Sequence, residues 1–376
     1  MRSPDIPLAD APNADALRAA FAAPAPPTIG LEEELMLLDA RTLDLAPRAP
    51  ELVERLGGDP RFKLELPAAQ LEIVLPPAAS VPEAAAALRT ARADLAAAAA
   101  ELGLRPAAAG LHPFAAAEGP LNPGTHYDTT AREYGRVASR QLVFALQVHV
   151  AIRGADRALA VHNALRSHLP ELAALAANAP FHDGRDTGMA TMRPLISQQL
   201  PRQGVPPALA SWEAYADALA FVAGGGGRWW WELRPHPEHG TLELRVPDAQ
   251  ATVAEAAAVA AVAQALAVWL AERHDAGETL PVHETWRIEE NRWSACRWGV
   301  EGDLRDLDGD GARVPTRDRL RALLDDLAPV ADRLGCAREL EDARALVERN
   351  GALRLREAAA GDPHAAARVL VERYAA

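Results

Sequence analysis

Five stretches far apart in this chain alternate between apolar and polar side chains, and that pattern restricts the fold more than any other feature. Successive side chains of a strand point to opposite faces, so parity sorts each stretch into two sets. In 28–38 one set is Gly30, Glu32, Glu34 and Met36; the other is Ile29, Leu31, Leu35 and Leu37. In 68–75, Gln70 and Glu72 oppose Leu71, Ile73 and Leu75. In 143–152, Ala145, Gln147 and His149 oppose Phe144, Leu146, Val148 and Val150. In 228–235, Arg228, Trp230, Glu232 and Arg234 oppose Trp229, Trp231 and Leu233. In 241–246, Thr241, Glu243 and Arg245 oppose Leu242, Leu244 and Val246. Glu33 breaks the pattern: parity sends it to the apolar face, where it needs a partner or an open edge.

One sheet, with helices on one side and a polar cleft on the other, accounts for all five stretches. Buried parallel strands would read as continuous apolar runs, and Gly-rich phosphate loops are missing. The expected class is therefore α+β with a mainly antiparallel sheet, not a Rossmann fold. Helices are expected at 82–102, 155–175, 211–223, 251–273, 316–334, 337–349 and 363–374. The first opens at Ser80-Val81-Pro82-Glu83 and stops at Gly103, a normal start and stop. Residues 1–27 read as a flexible lead-in with one short helical turn, 28–300 as the core, and 301–376 as a helical C-terminal section. Residues 224–227 read as a flexible loop. No internal repeat is visible.

With 39 Lys and Arg against 52 Asp and Glu, the net charge is −13. That is a poor basis for holding a nucleic-acid backbone. Two cysteines, Cys296 and Cys336, build neither a disulfide framework nor a cysteine zinc site, which fits a reducing, cytoplasmic setting. No apolar run is expected to approach the ~20 residues that cross a bilayer. The start, Met1-Arg2-Ser3-Pro4-Asp5, speaks against a secretory signal.

Any one alternating strand is ordinarily just a solvated face. The set is different, because its polar positions are mostly Glu, Arg, His and Gln, with few Lys, Ser or Thr. Carboxylates two apart on a strand repel unless a cation lies between them. Mg²⁺ takes oxygen ligands and bridges carboxylates to phosphates. Glu32, Glu34, Glu72 and Glu243 are thus candidates to hold more than one Mg²⁺, with Glu65 contributing from the rim. Arg245 and Arg234 would face phosphate charge left unneutralised. The same cleft would also suit a sugar or an amine.

The chain resembles the glutamate–cysteine ligase type 2, or carboxylate–amine ligase, family in the glutamine synthetase-like fold. The matching stretches begin with Thr28-Ile29-Gly30-Leu31-Glu32-Glu33-Glu34, Glu65-Leu66 with Gln70-Leu71-Glu72, and Ala109-Gly110-Leu111-His112-Pro113-Phe114. They continue through Asn178-Ala179-Pro180-Phe181, Arg193, Pro201-Arg202 and Arg234-Pro235-His236-Pro237. The last are Gly240-Thr241-Leu242-Glu243-Leu244-Arg245-Val246 with Asp248, and Glu290-Asn291-Arg292-Trp293 with Arg297. The resemblance implies an ATP-dependent enzyme that activates a carboxylate, typically the γ-carboxylate of glutamate, as an acyl phosphate. An amine such as cysteine then takes the acyl group. By position, Glu32, Glu34, Glu65, Glu72 and Glu243 become Mg²⁺ ligands and Arg245 faces the transferring phosphoryl group. Arg193 and Arg234 become candidate phosphate or carboxylate contacts, or structural ion pairs. Asn291 and Arg297 fall in a family-like motif and are placed with the substrate-binding residues. The resemblance also allows a homodimer.

One departure stands out. The family usually carries Gly-x-His-x-His where this chain has Ala145-Leu146-Gln147-Val148-His149. Gln147 offers a carbonyl oxygen to a metal, and His149 lies on the same face. Three alternatives therefore stay open: the same chemistry with another amine or acid, a nucleotide- or metal-binding protein without turnover, and a metal-dependent amide hydrolase.

Overall fold

A computed structural model describes residues 12–22, 28–223, 229–236 and 238–374. Its strands are β1 (Ile29–Asp39), β2 (Phe62–Leu64), β3 (Gln70–Val74), β4 (Leu104–Ala107) and β5 (Leu146–Ala151). A small hairpin, β6 (Phe181–His182) with β7 (Arg185–Asp186), follows. Then come β8 (Leu233–His236), β9 (Thr241–Leu244) and a second small hairpin, β10 (Asp303–Arg305) with β11 (Arg313–Pro315). Seven strands form one sheet in the order β2-β3-β1-β5-β9-β8, with β4 paired to the last residues of β1. Every pairing in it is antiparallel. The α+β class read from alternation is the one observed.

The parity split holds in three dimensions. Leu31, Leu35, Leu71, Ile73, Leu146, Val148, Val150, Leu242 and Leu244 are all buried on one face. Each such side chain contributes roughly 1.5–3 kcal/mol by leaving water. The covering layer is built from Val81–Glu101 and Val253–Asp275, the latter packed directly on β5. Both have capped starts: Ser80 accepts from the Glu83 amide, and Thr252 and Glu255 form a reciprocal box. Thr316–Leu334 and Ala337–Glu348 pack against the same long helix, so the C-terminal section is docked on the core.

Several expectations need correction. Val253–Asp275 is long and apolar enough to cross a membrane by length and composition, contrary to the sequence reading, but most of it is buried in this core. Its alanines are weakly apolar one by one, which hid the run. The supposed lead-in contains a helix, Ala14–Ala22, that buries Leu17 and Phe21, with Phe21 5.0 Å from the Trp212 ring. The 155–175 helix is three pieces, joined through a tight turn at Arg166–His168. The 228–235 strand shrinks to Leu233–His236, while the expected loop at 224–227 and Arg228 lie outside the described residues. Thr125–Tyr134, Thr285–Trp298 and Gly351–Ala359 are helices that apolar periodicity did not mark.

Candidate active site

Strand register assembles the site. Glu34 stands opposite Glu72, Glu32 opposite Gln147, and Gly30 opposite His149. His149 in turn faces Glu243, and Glu243 faces Arg234. Gly30 matters as a glycine, because a Cβ there would come within 3.3 Å of His149 Cβ.

Two acidic clusters occupy this face. In the first, ligand atoms of Glu32, His149 and Glu243 lie within 4.8 Å of one another. Thr241 Oγ1 sits 3.0 Å from His149 Nδ1 and fixes the ring. The buried Nε2 has no hydrogen-bond partner and stands 3.5 Å from Glu32 Oε1. Burial alone would raise the Glu32 carboxyl, but the His149 ring outweighs it and leaves Glu32 below its ordinary range. Glu243 is fully buried and accepts from Arg234 Nε at 2.5 Å and Nη2 at 3.2 Å, and from Arg245 Nη1 at 2.5 Å. Burial pushes Glu243 up, yet Arg245 and Arg234 hold it well below the usual carboxylate range.

The second cluster has the opposite balance. Glu34 accepts from the Ala145 amide at 2.7 Å and from Gln147 Nε2 at 3.0 Å. The same Nε2 is 3.3 Å from Glu72. Burial first, and the charge of Glu65 second, raise Glu34 to about 7. Glu72 is raised well above its ordinary value by burial and by Glu65, Glu32 and Glu34. Among the described residues neither Glu34 nor Glu72 forms an ion pair with a lysine or arginine. Glu65 lines the adjoining cavity with Glu34 and Arg245.

Gln147 lies between the clusters and touches both of them. Its carbonyl oxygen accepts from Arg245, while its amide nitrogen faces Glu34 and Glu72. As oriented it bridges Arg245 to the two acids. An arginine can only donate and a carboxylate only accept, so this orientation satisfies all three neighbours.

Other expected site residues are placed differently. Arg193 lines the cavity, but its Nε bonds Asp248 at 2.6 Å and its Nη2 bonds the Val246 carbonyl. Asp248 also accepts from the Asn178 amide and Thr191, so the motif residues around 178, 193 and 248 meet on one buried carboxylate. Arg234 is committed to Glu243. Asn291 exchanges hydrogen bonds with the Arg305 backbone, and Arg297 donates to the Gly188 carbonyl; neither reaches the sheet face. His112 ties a loop through the Leu43 carbonyl and the Ala115 amide.

Two cavities open on the polar face, one at each end. One, of about 100 Å³, is lined by Glu34, Glu65, Tyr127, Arg193, Trp230, Glu232 and Arg245. The other, of about 530 Å³, joins Glu32, His149 and Thr241 to apolar Phe21, Leu75 and Ile152, with Lys63, Arg153 and His239. Sequence reasoning missed Thr241 as the support of His149, although parity had placed it on the right face. It also missed Glu232, a cavity carboxylate clamped by Arg292 through Nε at 2.8 Å. Lys63 sits on a three-residue strand too short to show alternation.

Comparisons with known proteins give the chain a family and a fold. The glutamate–cysteine ligase family 2 model matches residues 28–369. A Rubrobacter xylanophilus protein designated glutamate–cysteine ligase 2-3 is 38% identical over 330 residues, covering 85% of this chain and 89% of that protein. A Corynebacterium glutamicum protein designated glutamate–cysteine ligase 2 is 37% identical over 334 residues, covering 86% and 89%. Among solved structures, the Francisella tularensis glutamate–cysteine ligase in complex with AMP superposes with a TM-score of 0.68 at 12% identity, covering 94% of this chain and 89% of that one. The bifunctional glutathione synthetase of Pasteurella multocida gives 0.65 at 14% identity, covering 96% and 53%. These two share the fold. The chain belongs to the glutamate–cysteine ligase family 2, a family of C–N bond-forming ligases.

Proposed function

We propose that this carboxylate–amine ligase is ATP-dependent, works in the cytoplasm, and forms a γ-glutamyl amide, with γ-glutamylcysteine as the default product. The observation that carries this reading is the pair of acidic clusters bracketing Arg245 on one sheet face. The donors fit a hard divalent cation. His149 Nε2 is buried and unpartnered beside two carboxylates, and Glu34 and Glu72 face each other with no lysine or arginine bonded to either among the described residues. Glu34, Glu65 and Glu72 would hold Mg²⁺ on one side, and Glu32, His149 and Glu243 on the other. When bound there, Mg²⁺ supplies neutralisation of phosphate charge.

The residues of the chain then divide the work. The larger cavity has apolar walls for a base and has Lys63 and Arg153 for phosphate. The cavity at the Glu34 end has carboxylates that attract an ammonium group and arginines that attract a carboxylate. Arg245, fixed by Glu243 and Gln147, stands between the two ends with its charge retained. In the first step the substrate carboxylate oxygen attacks the γ-phosphorus of ATP and ADP leaves. In the second the amine attacks the acyl carbon, loses a proton and releases phosphate. Arg245 stabilises the charge that accumulates in both steps by position alone.

Tyr127 and Trp230 in the smaller cavity favour a second reading, in which the same chemistry serves an amine bulkier than cysteine. An ADP-release screen with Mg²⁺, ATP and glutamate across a panel of amines tests both. ADP formation that depends on one amine identifies the acceptor, and no ADP with any pair rules out the ligase reading. Glu243→Gln should lower ADP release by about 10³-fold or more; retained turnover removes Glu243 from the machinery.

A further inference from the structure

Gln70 opens β3, shares the polar face with Glu72, and lines the smaller cavity with Glu34, Glu65 and Arg245. It takes no part in the contacts that join Gln147 to Glu34, Glu72 and Arg245. The residue is 2% exposed, and its side-chain Oε1 is buried without a hydrogen-bond partner among the described residues. Buried polar atoms are nearly always partnered, because leaving water without a new partner is costly. A leucine or methionine would fill the same space without that cost.

Two other glutamines show the contrast. Gln141, in the same cavity, donates to the Val137 and Ile196 carbonyls at 3.3 and 3.4 Å. Gln147 uses its oxygen on Arg245 and its nitrogen on Glu34 and Glu72. The Gln70 oxygen, on the same sheet face, is left for a group that enters the cavity.

The surroundings say which group. A carbonyl oxygen only accepts, and so does an ionised carboxylate. Glu34, on β1, and Glu65, on the segment leading into β3, are the acids of this end. The cavity guanidinium groups come from elsewhere. Arg245 follows β9, with β1 and β5 between it and β3, and Arg193 begins the short helix Arg193–Ser197. An arginine only donates. A ligand that spans the cavity therefore meets acceptors at one end and donors at the other. An ammonium group, with positive charge and three N–H donors, suits the first end, and a carboxylate suits the second.

We propose that Gln70 is a specificity-determining residue for the acid substrate. Its Oε1 accepts an N–H from the ammonium group of that substrate, whose reacting carboxylate is turned toward Arg245. The acid is then an amino acid such as glutamate, and a plain dicarboxylic acid of the same length is rejected. A site built to hydrogen-bond a substrate group discriminates strongly against the analogue that lacks it. The proposal rests on the ligase reading and adds to it the residue that selects the acid.

Titration calorimetry on the full chain, with Mg²⁺ and an unreactive ATP analogue present, tests it with glutamate and glutarate as probes. Glutarate lacks only the amino group. The wild type should bind glutamate about 10²-fold or more tighter than glutarate. Gln70→Leu should weaken glutamate about 10- to 100-fold and leave glutarate unchanged. Gln70→Met, unbranched and of similar length, should do the same and keeps the test open should leucine disturb the fold. Melting temperature and Mg²⁺ affinity should match or exceed the wild type in both variants, which a structural or metal-holding role would not allow. In turnover, KM for glutamate should rise while KM for the amine holds. Equal binding of the two acids by the wild type overturns the proposal. Variants that lose glutamate and glutarate alike, or that lose Mg²⁺, do the same. ADP release by the wild type reports on the ligase reading separately, so a failure of one is distinguishable from a failure of the other.

Discussion

Glu33 and Glu34 are neighbours on one strand, and the protein treats them in opposite ways. Glu33 is fully buried on the apolar face, yet its charge is answered: Arg92 binds it through Nε at 2.8 Å and Nη2 at 2.5 Å. Arg92 spends its remaining donors on the carbonyls of Gln250 and Ala251, and the Tyr374 ring covers it. Glu34, one residue on, meets Glu72 across the sheet and receives only neutral donors. Burial alone therefore does not mark a functional acid. What marks it is a buried charge that the protein leaves for something else to neutralise.

Exchanging the two roles by mutation gives the largest expected effects. Glu33→Gln should cost about 3–5 kcal/mol of stability, because Arg92 would be left buried without its counter-charge. The folded fraction should keep its ADP-release rate. Glu34→Gln should leave the metal-free protein as stable or more stable, and should lower turnover by about 10²-fold or more. Chemical denaturation and ADP release, measured on both variants, read the contrast directly. If Glu34→Gln destabilises the metal-free protein as Glu33→Gln does, the two acids are not different in kind.

The bridge between the clusters offers a smaller effect. Gln147→Leu removes both the donor to Glu34 and Glu72 and the acceptor for Arg245. Mg²⁺ affinity should fall about 10- to 100-fold, as it does when groups that orient metal ligands are removed. Unchanged affinity in a magnesium titration would leave Gln147 with a packing role only.

The pH dependence of stability gives the subtlest contrast, between Glu34 and Glu171. Burial raises Glu171, but Arg319 and then His168 outweigh it and bring it to about 2. Its contribution is present above the unfolded value of about 4.3 and is lost as pH falls toward 2. Glu34 is raised to about 7, so in the metal-free protein its contribution is present below about 4.3 and is lost as pH rises through 7. Melting curves in EDTA should decline at both ends of that span. Saturating Mg²⁺ should remove the decline on the alkaline side and leave the acid one. An alkaline decline that persists in Mg²⁺ would detach Glu34 from metal binding.

Much of this was legible in the sequence because a two-residue period survives folding unchanged. Parity alone placed Glu32, Glu34, Glu72, Gln147, His149, Glu243 and Arg245 on one face, and the register confirms their proximity. It also placed Glu33 opposite, where a partner or an open edge was needed, and Arg92 is that partner. Parity cannot say how a polar side chain spends its atoms, so Gln147 was read as a ligand before its oxygen was found on Arg245. Arg193 shows the same limit, since its partner Asp248 is 55 residues away. Thr285–Trp298 was illegible for a different reason. Apolar periodicity assumes that apolar residues face inward, and here three tryptophans face out while Asn291 and Arg292 face in.

The central claim is that the polar face carries buried acids awaiting a divalent cation. Titration calorimetry of Mg²⁺ into the wild type, Glu33→Gln and Glu34→Gln at about pH 7.5, above the raised Glu34 value, tests it most directly. The account predicts saturable binding in the wild type, binding retained in Glu33→Gln, and binding weakened or lost in Glu34→Gln. Equal binding in all three, or no binding heat in the wild type, would contradict it.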